Sequence, residues 1–161
     1  MNLPSYALNR NQGQATWFLG ALIIQKANGV QTGGRFSLTE QWSPAGFETP
    51  YHVHRLEDEA FYVLEGDMGF VCDGKQTSVG AGGYFFGPRD VPHGFRVVGA
   101  RSSRLLVLAT PPGYEQFVVE VGEPAQQLIL PPPRPPDFPK LVALAAKYHM
   151  EILGPLPPSS S

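Results

Sequence analysis

The chain has a single cysteine, Cys72, among its 161 residues. That excludes an intramolecular disulfide, and the apolar stretch around the thiol points to a buried, inert side chain in a reducing compartment, the cytoplasm. Charge is sparse too. Twelve Lys and Arg stand against fourteen Asp and Glu, a formal net charge of −2, and the basic residues form no stripe. Nucleic acid and anionic membrane surfaces are therefore poor partners. No long apolar run is present: Trp17 to Ile24 is far too short to cross a bilayer, and no basic cluster precedes it. It reads as a buried strand. Nor is there an internal repeat or a second domain, and the length suits one domain with its own core.

Glycine and proline are plentiful, 18 and 17 residues, and they cut the first two thirds of the chain into short apolar runs. Residues 1–14 read as an N-terminal arm, loose or laid across a second subunit. Ala15 to Lys26 reads as a strand, Asn28-Gly29 as a hairpin turn, and Gln31 to Trp42 as the returning strand with a bulge at Gly33-Gly34. Alternation over Glu59 to Leu64, a hairpin at Asp73-Gly74, and the run Arg104 to Thr110 continue the pattern. Strands of this spacing with Gly and Pro between them describe an antiparallel sandwich or barrel over residues 15–110. Residues 111–153 change character. Tyr114, Phe117, Val118 and Val121 have helical spacing, a proline-rich connector follows, and Asp137 reads as the N-cap of a helix carrying Leu141, Leu144, Ala145 and Tyr148. Residues 154–161 read as disordered.

Two stretches carry chemistry. In the first, Gly46, five residues, His52-Val53-His54, four residues, Glu59, six residues and Gly66 follow one another. Side chains two apart on a strand leave the same face, so His52 and His54 converge while Val53 faces away, and a turn through Leu56-Glu57-Asp58 returns Glu59 beside them. Glu57 and Asp58 read as turn residues in water. Imidazoles with a carboxylate suit one divalent transition metal, be it Fe, Mn, Ni, Co, Cu or Zn, and a fourth ligand is expected in His93. His93 ends the second stretch, Gly82, five residues, Pro88, then Arg89 to Pro92. The glycines at 80, 82 and 83 do not read as a phosphate cradle, because a strand-like run rather than a helix follows them.

Both stretches resemble the two motifs of the cupin superfamily. The first agrees at every defining position; in the second, Gly82, Pro88 and His93 agree, while Asp90 replaces the usual glycine and Val97 a frequent asparagine. The resemblance implies an all-β jelly-roll (double-stranded β-helix) barrel, here with a short helical C-terminal tail. That tail, with Pro112-Gly113-Tyr114-Glu115-Gln116-Phe117 and Ala146-Lys147-Tyr148-His149, resembles small cupins grouped with bacterial quercetin 2,3-dioxygenases.

Expectations for function follow. Phe61 should wall the pocket by strand parity, with Tyr51, Phe70 and Phe95 as further candidates; such a lining suits an aromatic or enolic small molecule better than a sugar phosphate. The leading expectation is a metal-dependent dioxygenase that uses dioxygen on a flavonol-like or other enol-bearing aromatic, with Glu59 both ligand and base, as the quercetinase resemblance implies. The alternatives are a redox-neutral polyketide cyclase or isomerase, and a non-enzymatic small-ligand binder. A homodimer is expected, with the arm and the strand at residues 17–24 available to cover a neighbour.

Overall fold

The computed structural model describes residues 2–159. Its first ten strands are β1 (Gln14–Phe18), β2 (Ala21–Ala27), β3 (Ser37–Ser43), β4 (Tyr51–His54), β5 (Asp58–Glu65), β6 (Asp67–Cys72), β7 (Lys75–Gly80), β8 (Tyr84–Gly87), β9 (His93–Val98) and β10 (Ser103–Thr110). They are followed by α1 (Tyr114–Val121), β11 (Glu123–Pro124), α2 (Phe138–Lys147) and β12 (Met150–Gly154). One sheet runs β11-β1-β2-β3-β10-β5-β8 and the other β12-β4-β9-β6-β7. Every pairing is antiparallel. The two sheets face each other as a jelly-roll barrel.

Alternation decides what lies between the sheets. Phe61 and Val63 of β5 and Leu105 and Val107 of β10 point inward against Phe70 of β6 and Phe95 of β9, all nearly fully buried. Phe70 stacks on Phe85 with centroids 4.3 Å apart and planes 9° from parallel. Full burial of side chains this size stabilises by roughly 1.5–3 kcal/mol each. The chain passes from β5 in one sheet to β6 in the other through Gly66, at φ 81, where a Cβ would stand 2.3 Å from Ser103 Oγ. Only glycine fits that corner.

Several expectations need correcting. The run from Ala15 to Lys26 is two strands, because the chain reverses at Leu19 and Gly20, both at positive φ (51° and 92°). Asn28-Gly29 does not make a tight hairpin: the Asn28 side chain accepts from Gln31 N at 2.9 Å, Thr32 Oγ1 donates to Phe36 O at 2.6 Å, and the returning strand begins only at Ser37. Gly33 and Gly34 therefore lie in a loop, not in a strand bulge. Within the chain, the arm makes contacts of its own: Tyr6 Oη donates to Lys26 O at 2.9 Å and Arg10 pairs with Glu65 at 2.7 Å.

The C-terminal extension is more than a tail. β11 joins the larger sheet beside β1, and β12 joins the smaller sheet beside β4. Asp137 caps α2 as expected, its Oδ1 accepting from Lys140 N at 3.1 Å, and Leu141 and Ala145 pack on Phe117 and Val118 of α1 together with Phe18 and Met150. Residues 154–159 are seated rather than disordered: Leu156 is buried, Gln76 Nε2 donates to Pro158 O at 2.6 Å, and the Arg96 guanidinium holds Ser159 Oγ at 2.8 Å. Residues 160 and 161 lie outside the described part. Among the described residues, no helix is long and apolar enough to cross a membrane.

Candidate metal centre

β4 is four residues long and is flanked on both sides, by β9 through the pair His52–His93 and by β12 through Met150–His54 and Ile152–His52. Its two histidines leave one face, as period-two alternation requires. His93 opens β9 directly beside them. The turn before it needs a positive φ, 64°, at Asp90, the place where the motif usually has glycine. Aspartate is one of the few residues that tolerates this conformation, and its backbone N–H donates to His54 O at 2.8 Å, tying the turn to β4. Glu59 answers from the opposite sheet, held between Gly87 of β8 and Ala109 of β10. One ligand atom from each of His52, His54, Glu59 and His93 can be chosen so that all lie within 4.8 Å of one another.

The outer ring nitrogens are all spoken for. His52 Nδ1 donates to Pro50 O at 2.8 Å, His93 Nδ1 to Val91 O at 3.0 Å, and His54 Nδ1 to the Glu57 carboxylate at 2.8 Å. Carbonyl and carboxylate oxygens can only accept, so each Nδ1 carries a proton and each Nε2 is turned to the centre. Glu59 Oε2 sits 2.8 Å from His93 Nε2 and 3.2 Å from His54 Nε2. His54 Nε2 is nevertheless a buried nitrogen without a directed hydrogen-bond partner. A buried orphan of this kind is costly, and three inward-facing imidazoles with one carboxylate are a donor set for a divalent transition metal. The residues fit such an ion.

Glu57 is not the solvated turn residue that its neighbours suggest. It is only 3% exposed, and it makes His54 the one imidazole of the three backed by a charge rather than a backbone carbonyl. The electrostatics are correspondingly uneven. Burial, then the neighbouring His54 and His93, push His52 down to about 3. For His54 burial works the same way, but the Glu59 and Glu57 carboxylates outweigh it and the ring is pushed up to about 10. Burial would raise Glu59, yet His54 and then His93 hold its carboxyl well below the usual range.

The cluster opens on a small apolar cavity of about 50 Å³. Phe61 and Phe95 are among its walls. Phe70 does not reach it and lies beneath, stacked on Phe85. Tyr51 is out of phase with His52 and His54; its hydroxyl accepts from Gly74 N at 3.2 Å, away from the cavity. The walls missing from the sequence reading come from the flanking elements: Phe18, Tyr114, Phe117, Leu141, Met150 and Ile152. Leu19, Thr49, Pro50 and Leu141 also border an outer apolar hollow of about 300 Å³, so that hollow leads toward the cluster. Asp58, the other expected turn residue, opens β5 and pairs with Arg89 at 2.8 Å.

Known proteins share this architecture. Quercetin 2,3-dioxygenase of Bacillus subtilis (strain 168) is 24% identical over 125 residues, 77% of this chain but only 37% of that protein. The polyketide cyclase RemF from Streptomyces resistomycificus superposes with a TM-score of 0.59 at 26% identity, covering 90% of this chain and 96% of RemF. An RmlC-like cupin from Shewanella frigidimarina NCIMB 400 superposes with a TM-score of 0.60 at 24% identity, covering 73% of this chain and all of the other. Residues 39–109 match the family model of the cupin domain. That span takes in both motifs and all four members of the cluster, and over it the chain is similar to cupin domains.

Proposed function

We propose that His52, His54, Glu59 and His93 hold one divalent transition metal, and that the protein is a dioxygenase acting on a flavonol-like or other enol-bearing aromatic. The observation that carries this reading is the pairing of three inward Nε2 atoms and a carboxylate with a cavity whose other walls are aromatic and aliphatic. Among the described residues, no lysine or arginine lines that cavity, so a phosphorylated substrate has nothing to meet its charge. The bound metal would supply Lewis acidity and, with a redox-active ion, a path for dioxygen chemistry. The protein's own residues do the rest. Phe61 and Phe95 grip the ring face and keep water out. Glu59 Oε2, buried and held in ionised form by the imidazoles, takes the proton of the substrate hydroxyl.

A second reading, a redox-neutral cyclase or isomerase, is favoured by the similarity to RemF, which runs over 90% of this chain and 96% of RemF. One set of measurements separates the two. Protein purified without chelator is analysed for metal, then mixed with flavonols and catechols in an oxygen electrode. Oxygen uptake matching substrate loss supports the dioxygenase, and substrate loss without oxygen supports the cyclase. Absence of bound metal together with absence of turnover under any first-row metal refutes both.

A further inference from the structure

The cavity at the cluster is nearly devoid of free hydrogen-bond donors. All three Nδ1–H groups are spent on Pro50, Glu57 and Val91, and Glu59 is an acceptor. Thr49 Oγ1 donates to Phe95 O at 3.4 Å and accepts from Phe95 N at 3.0 Å. What remains is Tyr114. Its ring stands edge-on to His54 with centroids 6.3 Å apart and lines the cavity, and among the described residues its hydroxyl makes no hydrogen bond. Tyrosine hydroxyls in such settings ordinarily find a partner, so an idle one beside open volume marks where a ligand atom belongs.

We infer that Tyr114 Oη donates a hydrogen bond to a second oxygen of the substrate, adjacent to the oxygen that meets the four-residue cluster, so that the site selects aromatics bearing two neighbouring oxygens. This rests on the reading of the cluster as a metal site for an aromatic. A phenol ordinarily ionises only at about pH 10, so at neutral pH Tyr114 keeps its proton. It is therefore a donor and not a base. With one donor and one base in the cavity the substrate has a single productive orientation: its carbonyl oxygen, which can only accept, turns to Tyr114, and its hydroxyl turns to the cluster and Glu59.

The scaffold holds Tyr114 firmly. The Glu115 carboxylate accepts from Gly113 N at 2.8 Å and from Gly29 N at 3.0 Å, fastening the start of α1 to the loop after β2. On the other side Gly113 lies against Glu57, so closely that a Cβ there would stand 2.6 Å from Glu57 Oε1. The tyrosine and the carboxylate behind His54 are thus placed by one contact.

The test compares cobalt-loaded parent protein with Tyr114→Phe, which deletes only the unpaired oxygen. Cobalt content and melting temperature should not change. Two probes are titrated: 3-hydroxyflavone, which has a hydroxyl beside a carbonyl, followed by its absorbance, and azide, a small anionic acceptor, followed in the cobalt bands. Losing a donor to a charged or polarised acceptor should weaken 3-hydroxyflavone about ten- to a hundredfold and azide severalfold. Unchanged azide affinity in Tyr114→Phe overturns the donor role. Parent protein that binds azide but not 3-hydroxyflavone instead overturns the aromatic reading of the site, so the two failures are told apart.

Discussion

Glu57 offers a sharp test, because its carboxylate touches the centre only through His54. The two groups are 2.8 Å apart with side chains 1% and 4% exposed, so solvent does little to screen them. Glu57→Gln keeps the length and an oxygen that can accept from Nδ1, but removes the charge. A hydrogen bond to a charged group contributes about 1.5–3 kcal/mol and a neutral one about 0.5–1.5. The loss is thus roughly 1.4 kcal/mol, about tenfold in metal affinity. Glu57→Ala removes the acceptor as well and leaves Nδ1–H buried and unpaired, which should bring the loss nearer a hundredfold. Both effects are read by competing zinc and cobalt against a chromophoric chelator, with thermal unfolding of the metal-free proteins as the control for folding. If folded Glu57→Gln binds metal within twofold of the parent, the carboxylate does not tune the centre and the argument fails.

Glu59→Gln should lower turnover by about a hundredfold or more even after metal is restored, and a metal-loaded variant as active as the parent would show that Glu59 is no base. The metal-free protein should be most stable near pH 6.5. His54, raised to about 10, gives up its stabilisation as pH climbs from 6.5, while His52, depressed to about 3, gives up its own as pH falls below 6.5. Chelator-treated protein whose melting temperature keeps rising from pH 6.5 to 9 would contradict this. Homodimerisation is expected through the outer face of the larger sheet, where Tyr62, Tyr84 and Phe86 on adjoining strands are 45%, 60% and 49% exposed. Sedimentation should show a dimer at micromolar concentration and a monomer for Tyr84→Glu; a monomeric parent removes the idea.

The four-residue cluster was legible because strand periodicity is local: His52 and His54 share a face whatever surrounds them, and Glu59, Phe61 and Val63 share the next. The same parity already places Tyr51 with Val53, so its candidacy as a wall had no support from the strand. Phe70 has the right phase but sits on β6, beyond β9, and depth along a sheet is not written in alternation. Glu57 was illegible for another reason. Between Arg55 and Asp58 it looks like any solvated turn, and its burial depends on Gly113, far away in sequence. The break at Leu19 and Gly20 is marked in the sequence by Gly20 alone, since leucine rarely takes positive φ. At position 97 the structure resolves what the motif left open: Val97 is buried in the core with Phe95, so apolar packing stands where asparagine often does.

The cupin family match ends at residue 109, yet the cavity does not. Tyr114 and Phe117 come from α1, Leu141 from α2, and Met150 and Ile152 from β12. Without β12, β4 would also be an edge strand, with the two histidines that cross the motif left unsupported on one side. The division of labour follows from this geometry. The barrel brings four potential ligands to one point, something many chemistries can use. Around that point the barrel supplies Phe18, Phe61 and Phe95, and the extension supplies Tyr114, Phe117, Leu141, Met150 and Ile152. If the proposed function holds, the residues that set substrate choice include ones after Thr110, which the shared motifs do not reach.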